Sequence, residues 1–435
     1  MTPPAPPPDP TPPADPARTL PQVSGHQQAL DGIRALAALM VLVFHVAIET
    51  GAALADGAIG ALLSRGEMGV PLFFALSGLL LYRPWARAAI DGTPGPSVRS
   101  YLWRRGLRVL PAYWLVALTA MLLWNDGFGI RHWIEVFTLT YTFNTDPWFA
   151  GTGPYGLGQM WSLSVEVSFY AALPLIAWLL TRFAARAGGG ADARARRLLT
   201  GTALIAAAGA AALLLQFYPD PRPYMHAWLP RTLGMFAVGM AIAVLTEWAH
   251  REPGADGPAR RLSRTLAQSP GLSWGLAAVV YVVASTPVTG PRFVGVDGYW
   301  IALADAATSL LFAFFVIAPV AFLPPPDQAP AVRRPAAERL ADGTWLAALL
   351  AHPVSRFLGR ISYGIFLWQF VVLYLWRGFT GQEIFTGSFW FDIGPVTAGT
   401  VVLATLTHRF VEEPVRRWAR AVPRTPRKPA PRRPA

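Results

Sequence analysis

The chain has 435 residues, 53% of them hydrophobic and only 14% charged, where a soluble globular protein carries roughly a quarter charged residues. With a mean hydropathy of +0.36, the composition excludes the water-soluble two-domain enzyme that the length alone would suggest. Cysteine is absent, which removes disulfides, thiolate metal sites and cysteine-nucleophile acyl transfer, and the net charge of +12 raises the question of an acidic partner.

Residues 1–28 open on a proline-rich run, MTPPAPPPDPTPPADPARTLPQ, with no apolar face to bury. They read as a disordered or polyproline-II tail. Ten apolar runs follow, at 30–50, 67–86, 107–125, 160–182, 198–217, 228–247, 272–289, 298–323, 361–377 and 389–410. Each is about long enough to cross a bilayer as a helix. The expected fold is therefore all-α, a polytopic membrane bundle of about ten transmembrane helices over residues 29–414. A basic, proline-rich tail closes the chain at 415–435.

Placing the N-terminus in the cytoplasm puts thirty of the 37 Lys and Arg residues on the inner side. Only Arg65, Arg131, Arg222, Arg231, Arg292 and Arg377 fall outside, and Arg34 lies within the first span. This bias predicts both termini in the cytoplasm and a multi-pass protein of the cell (inner, cytoplasmic) membrane. It also accounts for the basic charge, which anionic inner-leaflet lipids attract, so no nucleic-acid partner is expected. The longest outer stretch, 126–159, contains HWIEVFTLTYTF, whose mixed aromatic and polar content suits the membrane interface.

Ionisable residues inside apolar spans are costly and mark function by default. The first span holds Asp31, Arg34, His45 and Glu49. Arg34 and His45 are eleven residues apart, about 20° beyond three full turns, so they share one stripe roughly 16 Å apart along the axis. Asp31 precedes Arg34 by three residues, a favourable pairing near a helix start that also serves as an ordinary helix anchor. In the fourth span Ser162, Glu166 and Tyr170 share a face. Glu166 could orient His45 as a general base or stabilise its imidazolium, and Glu49 is the rival for that role. Arg104, Arg105 and Arg108 precede the third span. Arginines there suit phosphate, although basic inner ends are ordinary. G-x-S-x-G, Walker A and H-E-x-x-H are missing, and no metal site is expected. The chemistry narrows to histidine and carboxylate acid–base catalysis.

Six stretches in order resemble the acyltransferase-3 family of integral-membrane O-acyltransferases. They are LDGIRALAALMVLVFH, MGVPLFFALSGLLLYRPW, RRGLRVLPAYW, MWSLSVEVSFYAALPL, LGRISYGIFLWQ and HRFVEEPVRRW. The resemblance implies transfer of an acyl group, commonly acetyl, from cytoplasmic acyl-CoA to a hydroxyl of a sugar, a lipid-linked or cell-envelope glycan, or a glycosylated metabolite. Acyl-CoA would act as co-substrate, with no tightly bound cofactor. The motif histidine falls on His45, its arginine on Arg34 with Asp31 beside it, the R-x-x-R pair on Arg105 and Arg108 with Arg104 adjacent, and the glutamate on Glu166. Tyr363, Trp368 and Gln369 are the expected acceptor contacts. Gln369 stands where the family often carries histidine, which implies altered recognition. Direct attack and an acyl-histidine intermediate both remain open. The rival expectation, a secondary transporter relaying protons or anions through His45, Arg34 and Glu166, calls for internal repeats. None is evident.

Overall fold

The computed structural model describes residues 20–421 apart from 187, 255, 293–297 and 326–343. Among these residues the secondary structure is helical, with no strand. The main helices are α1 (Gln28–Glu49), α2 (Gly69–Asp91), α3 (Val98–Trp124), α4 (Trp161–Ala185), α5 (Ala191–Ala212), α6 (Leu229–Ala249), α7 (Pro258–Gln268), α8 (Pro270–Ala284), α9 (Tyr299–Ala321), α10 (Pro353–Thr380), α11 (Phe389–Thr407) and α12 (Glu413–Ala421). Nine helices among the described residues are long and apolar enough to cross a membrane. The pair α7 and α8, bent by 80°, makes a tenth if counted as one span. The ten apolar runs of the sequence thus fall on these nine helices and the bent pair. The molecule is a multi-pass membrane protein. Large apolar side chains such as Leu122, Leu175, Trp300 and Phe379 stand exposed on its outside, as a lipid-facing surface requires.

Several helix boundaries differ from the sequence expectation, two of them by eight residues or more. The third helix starts at Val98, nine residues before the apolar run, because the arginine-rich segment Arg99–Arg108 continues the helix behind Ser97, whose hydroxyl faces the Ser100 N–H at 3.5 Å. The tenth labelled helix starts at Pro353, a proline in the first turn, where its missing N–H costs nothing. The expected tails are also shorter than read. Residues 20–27 pack on the bundle: the Gln22 N–H donates to the Leu323 carbonyl at 2.8 Å, and Arg87 to that of Val23 at 3.0 Å. Residues 415–421 extend as helix α12. The remainder of the two tails, 1–19 and 422–435, lies outside the described residues.

The bundle has two chemically distinct ends. At one, α1 and α3 begin and α11 finishes; Trp103 of α3 meets Trp418 of α12 with ring centroids 6.3 Å apart. The fully buried Glu247 carboxylate there accepts from Arg87 at 3.0 Å and from Arg251 at 2.8 Å, and Arg251 also holds Asp91, tying α2 to α6. This is the arginine end. Toward the opposite end α2 and α6 cross so closely that a Cβ on Gly239 would lie 1.8 Å from the Ala75 carbonyl oxygen. Only glycine permits that approach, the usual small-residue device of membrane helix pairs. At that opposite end, where α1 finishes and α4 begins, a large cavity opens.

Candidate active site

His45 sits in the last third of α1 and lines this cavity, which encloses about 1540 Å³. Its ring packs on Phe370 of α10, centroids 4.4 Å apart. Its Nδ1 lies 3.1 Å from Gln369 Oε1. The other end of the same amide, Gln369 Nε2, donates to the Phe366 carbonyl at 3.0 Å. A carbonyl oxygen can only accept, so this bond fixes the amide orientation and presents Oε1 to the histidine. Nδ1 must then carry the proton, and Nε2 keeps its lone pair. The substitution of glutamine in the LWQ stretch therefore selects the tautomer of His45.

Neither carboxylate expected to orient His45 does so. Glu49 forms an ion pair with Arg377 and accepts from the Tyr374 hydroxyl at 3.3 Å. Glu166 accepts a short hydrogen bond from Ser77 of α2. On α4, Ser162 lines the cavity and Glu166 lies four residues on, about 6 Å farther toward the arginine end. Glu166 therefore stands between the two ends of the bundle, beneath the cavity. The orienting role read for it from the sequence belongs geometrically to Gln369, because α10 and not α4 supplies the side chain that reaches Nδ1.

At the arginine end the spacing arguments meet in space. Arg34 pairs with Asp31 at 3.2 Å, and Asp31 also meets His26 Nε2 at 2.7 Å. Arg34, Arg105, Arg108 and Tyr170 lie within electrostatic reach of one another, and Glu166 is within reach of Arg105. Arg105 Nε is buried without a hydrogen-bond partner. Arg104, in contrast, is exposed and bonded to Ser100 one turn back, away from this cluster. After α11 a π-helical turn, His408–Glu412, places Glu412 within electrostatic reach of Arg108.

Of the three expected acceptor contacts, only Gln369 belongs to the His45 neighbourhood. The Tyr363 hydroxyl donates to the Val109 carbonyl at 2.9 Å, and Trp368 Nε1 donates to Thr407 at 2.8 Å. Both side chains leave α10 on faces turned to α3 and α11, and neither lines the cavity.

The cavity wall contains residues that the sequence reading passed over. Tyr155 and Tyr374 stack at 4.2 Å with Trp124 edge-on to both. Burial raises the Tyr155 phenol above its ordinary range against the pull of Arg377, and Glu49 adds to the rise. Gln159, 2% exposed, donates to the carbonyls of Phe366 and Leu367 at 3.2 and 2.9 Å and keeps a buried, unpartnered Oε1. Arg65 pairs with Glu67 at 3.0 Å, and Arg231 faces Asp305 at 3.6 Å. The turn carrying Arg65 and Glu67 presses on α1 at Gly66, where a Cβ would lie 2.6 Å from the Met40 carbonyl oxygen and 2.7 Å from Phe44 Cβ. The signal for Asp305 was available, since it is an acid within the eighth apolar run. Among the described residues no group of three His, Asp or Glu side chains is placed to share a metal ion.

A family profile described as an acyltransferase domain matches residues 27–409. A Staphylococcus aureus (strain MSSA476) protein bearing the name “Putative O-acetyltransferase” is 22% identical over 90% of this chain and 58% of its own length. A Bacillus subtilis (strain 168) protein, “Putative peptidoglycan O-acetyltransferase”, is 25% identical over 89% of the chain and 54% of itself. Peptidoglycan O-acetyltransferase OatA of Listeria monocytogenes is 22% identical over 89% of the chain and 56% of itself. The chain thus spans little more than half the length of these relatives. No solved structure matches it.

Proposed function

The chain belongs to the acyltransferase-3 family, matched over residues 27–409, and on that premise we propose that it moves an acyl group, acetyl foremost, from acyl-CoA to a hydroxyl of a sugar or glycan, with His45 as general base. The observation that carries this reading is the single stripe of α1. Arg34 stands at one end of it with Arg105 and Arg108, and His45 stands roughly 16 Å away on the wall of the cavity. A long donor with a phosphorylated head and a thioester tip suits that layout. Its phosphates would meet Arg34, Arg105 and Arg108 through charge-assisted, bidentate hydrogen bonds. Its arm would run along the stripe past Glu166. The arginine bias of the sequence supports placing that end in the cytoplasm, where acyl-CoA resides.

In the reaction, the acceptor hydroxyl enters the cavity and gives its proton to His45 Nε2 as its oxygen attacks the thioester carbonyl. The tetrahedral intermediate collapses, the carbon–sulfur bond breaks, and the imidazolium returns the proton to the departing thiolate. Products are the O-acyl ester and free CoA. Gln369 holds the imidazole in the productive tautomer throughout. The printed names of the Bacillus and Listeria relatives support a glycan as acceptor. The test is transfer from radiolabelled acetyl-CoA by the purified chain in the presence of chitotetraose or muropeptides. Acceptor-dependent CoA release with an alkali-labile acetyl ester on the sugar is expected; donor turnover that ignores every hydroxyl acceptor would contradict the proposal.

A further inference from the structure

Besides Glu49, four charged side chains share the cavity with His45 without entering the reaction just described. Arg65 and Glu67 come from the turn before α2, Arg231 from the first turn of α6, and Asp305 from the second turn of α9. Glu67 is within electrostatic reach of Asp305 and Arg231, so the two ion pairs form one cluster. Their heads remain accessible: the side chains of Glu67, Asp305 and Arg231 are 45%, 25% and 21% exposed. Across 3.6 Å, Arg231 and Asp305 are too far apart for a hydrogen bond. The Asp305 carboxylate accepts none from any described residue, although it stands on an apolar helix.

The accessible heads are of both kinds: the Arg231 guanidinium donates, and the Glu67 and Asp305 carboxylates accept. A simple anion or cation would meet only one kind. A ligand whose groups each donate and accept, such as the hydroxyls of a sugar ring, would meet both. Gly66 holds the Arg65–Glu67 turn against α1 at Met40 and Phe44, the residue before His45, and the turn and the imidazole line the same cavity.

From this placement we infer that Arg65, Glu67, Arg231 and Asp305 form an acceptor subsite that takes the non-reacting hydroxyls of a sugar ring and sets which hydroxyl is acylated. The inference rests on the proposed acceptor occupying the His45 cavity. Its test is binding of chitotetraose to the detergent-purified full chain, followed by saturation-transfer NMR, which does not require turnover. Wild type is expected to bind, and Asp305→Asn and Glu67→Gln to weaken binding at least ten-fold, with Gly275→Ala, outside the cavity lining, binding as wild type does. Glu67→Gln alters a side chain that is nearly half exposed and keeps the test open should Asp305→Asn fail to fold. No binding by wild type, or binding by both charge variants as tight as that of wild type, would overturn the subsite. Sugar binding lost in the variants but unaccompanied by acetyl transfer in wild type would fault the proposed reaction and leave the subsite standing.

Discussion

Gln369 reaches across from α10 to accept from His45 Nδ1 at 3.1 Å, and its own amide nitrogen is pinned to the Phe366 carbonyl at 3.0 Å. This neutral relay orients the imidazole without a carboxylate. Gln369→Ala removes the orienting oxygen and leaves Nδ1 unpaired. A loss of about 100-fold in kcat is expected from misplacement of the base, with a stability cost of about 1–3 kcal/mol for the orphaned donor. Gln369→Glu keeps the accepting oxygen and should retain more activity than the alanine variant. Steady-state kinetics with acetyl-CoA check both.

Arg105 and Arg108 face Arg34, whereas Arg104 turns back to Ser100. If the first two hold donor phosphates, each lost charge-assisted contact is worth about 1.5–3 kcal/mol. Arg105→Ala and Arg108→Ala should raise KM for acetyl-CoA about ten-fold or more and leave kcat at saturation nearly unchanged. Arg104→Ala should do neither. The measurement is KM against kcat across the three variants.

Glu49 and Arg377 form a buried ion pair between α1 and α10, with side chains only 12% and 7% exposed. Removing one partner strands the other charge, at a cost of about 3–5 kcal/mol. Glu49→Gln and Arg377→Met should each lower the melting temperature in detergent, and the double variant should recover part of the loss. A double-mutant cycle of melting temperatures reads this coupling.

At the α2–α6 crossing, a methyl group on Gly239 would collide with the Ala75 carbonyl oxygen, backbone against backbone. Gly239→Ala should therefore reduce the yield of monodisperse protein on size-exclusion chromatography far more than Gly275→Ala, where a Cβ meets nothing within 4 Å.

What the sequence disclosed and what it concealed divide along the range of the interactions. The shared stripe of Arg34 and His45 is a property of one helix, so spacing alone found it, as it found the Asp31–Arg34 pair. The ten apolar runs were legible because a bilayer imposes length and composition on each span separately. The partner of His45 was not legible, because Gln369 lies 324 residues away and only the packing of α1 on α10 brings it near. For the same reason Glu166 was assigned to the histidine instead of to Ser77. Trp368 and Tyr363 share a motif with Gln369 but leave the helix on other faces. Arg65, Glu67 and Arg231 read individually as ordinary charges near span ends; their cluster with Asp305 exists only in three dimensions.

If His45 Nε2 removes the proton of the acceptor hydroxyl, His45→Ala protein that still folds should transfer acetyl from saturating labelled acetyl-CoA about 10²–10⁴-fold more slowly than wild type, the range that general-base catalysis contributes. Equal transfer rates in the two proteins would mean that the imidazole takes no proton in the reaction.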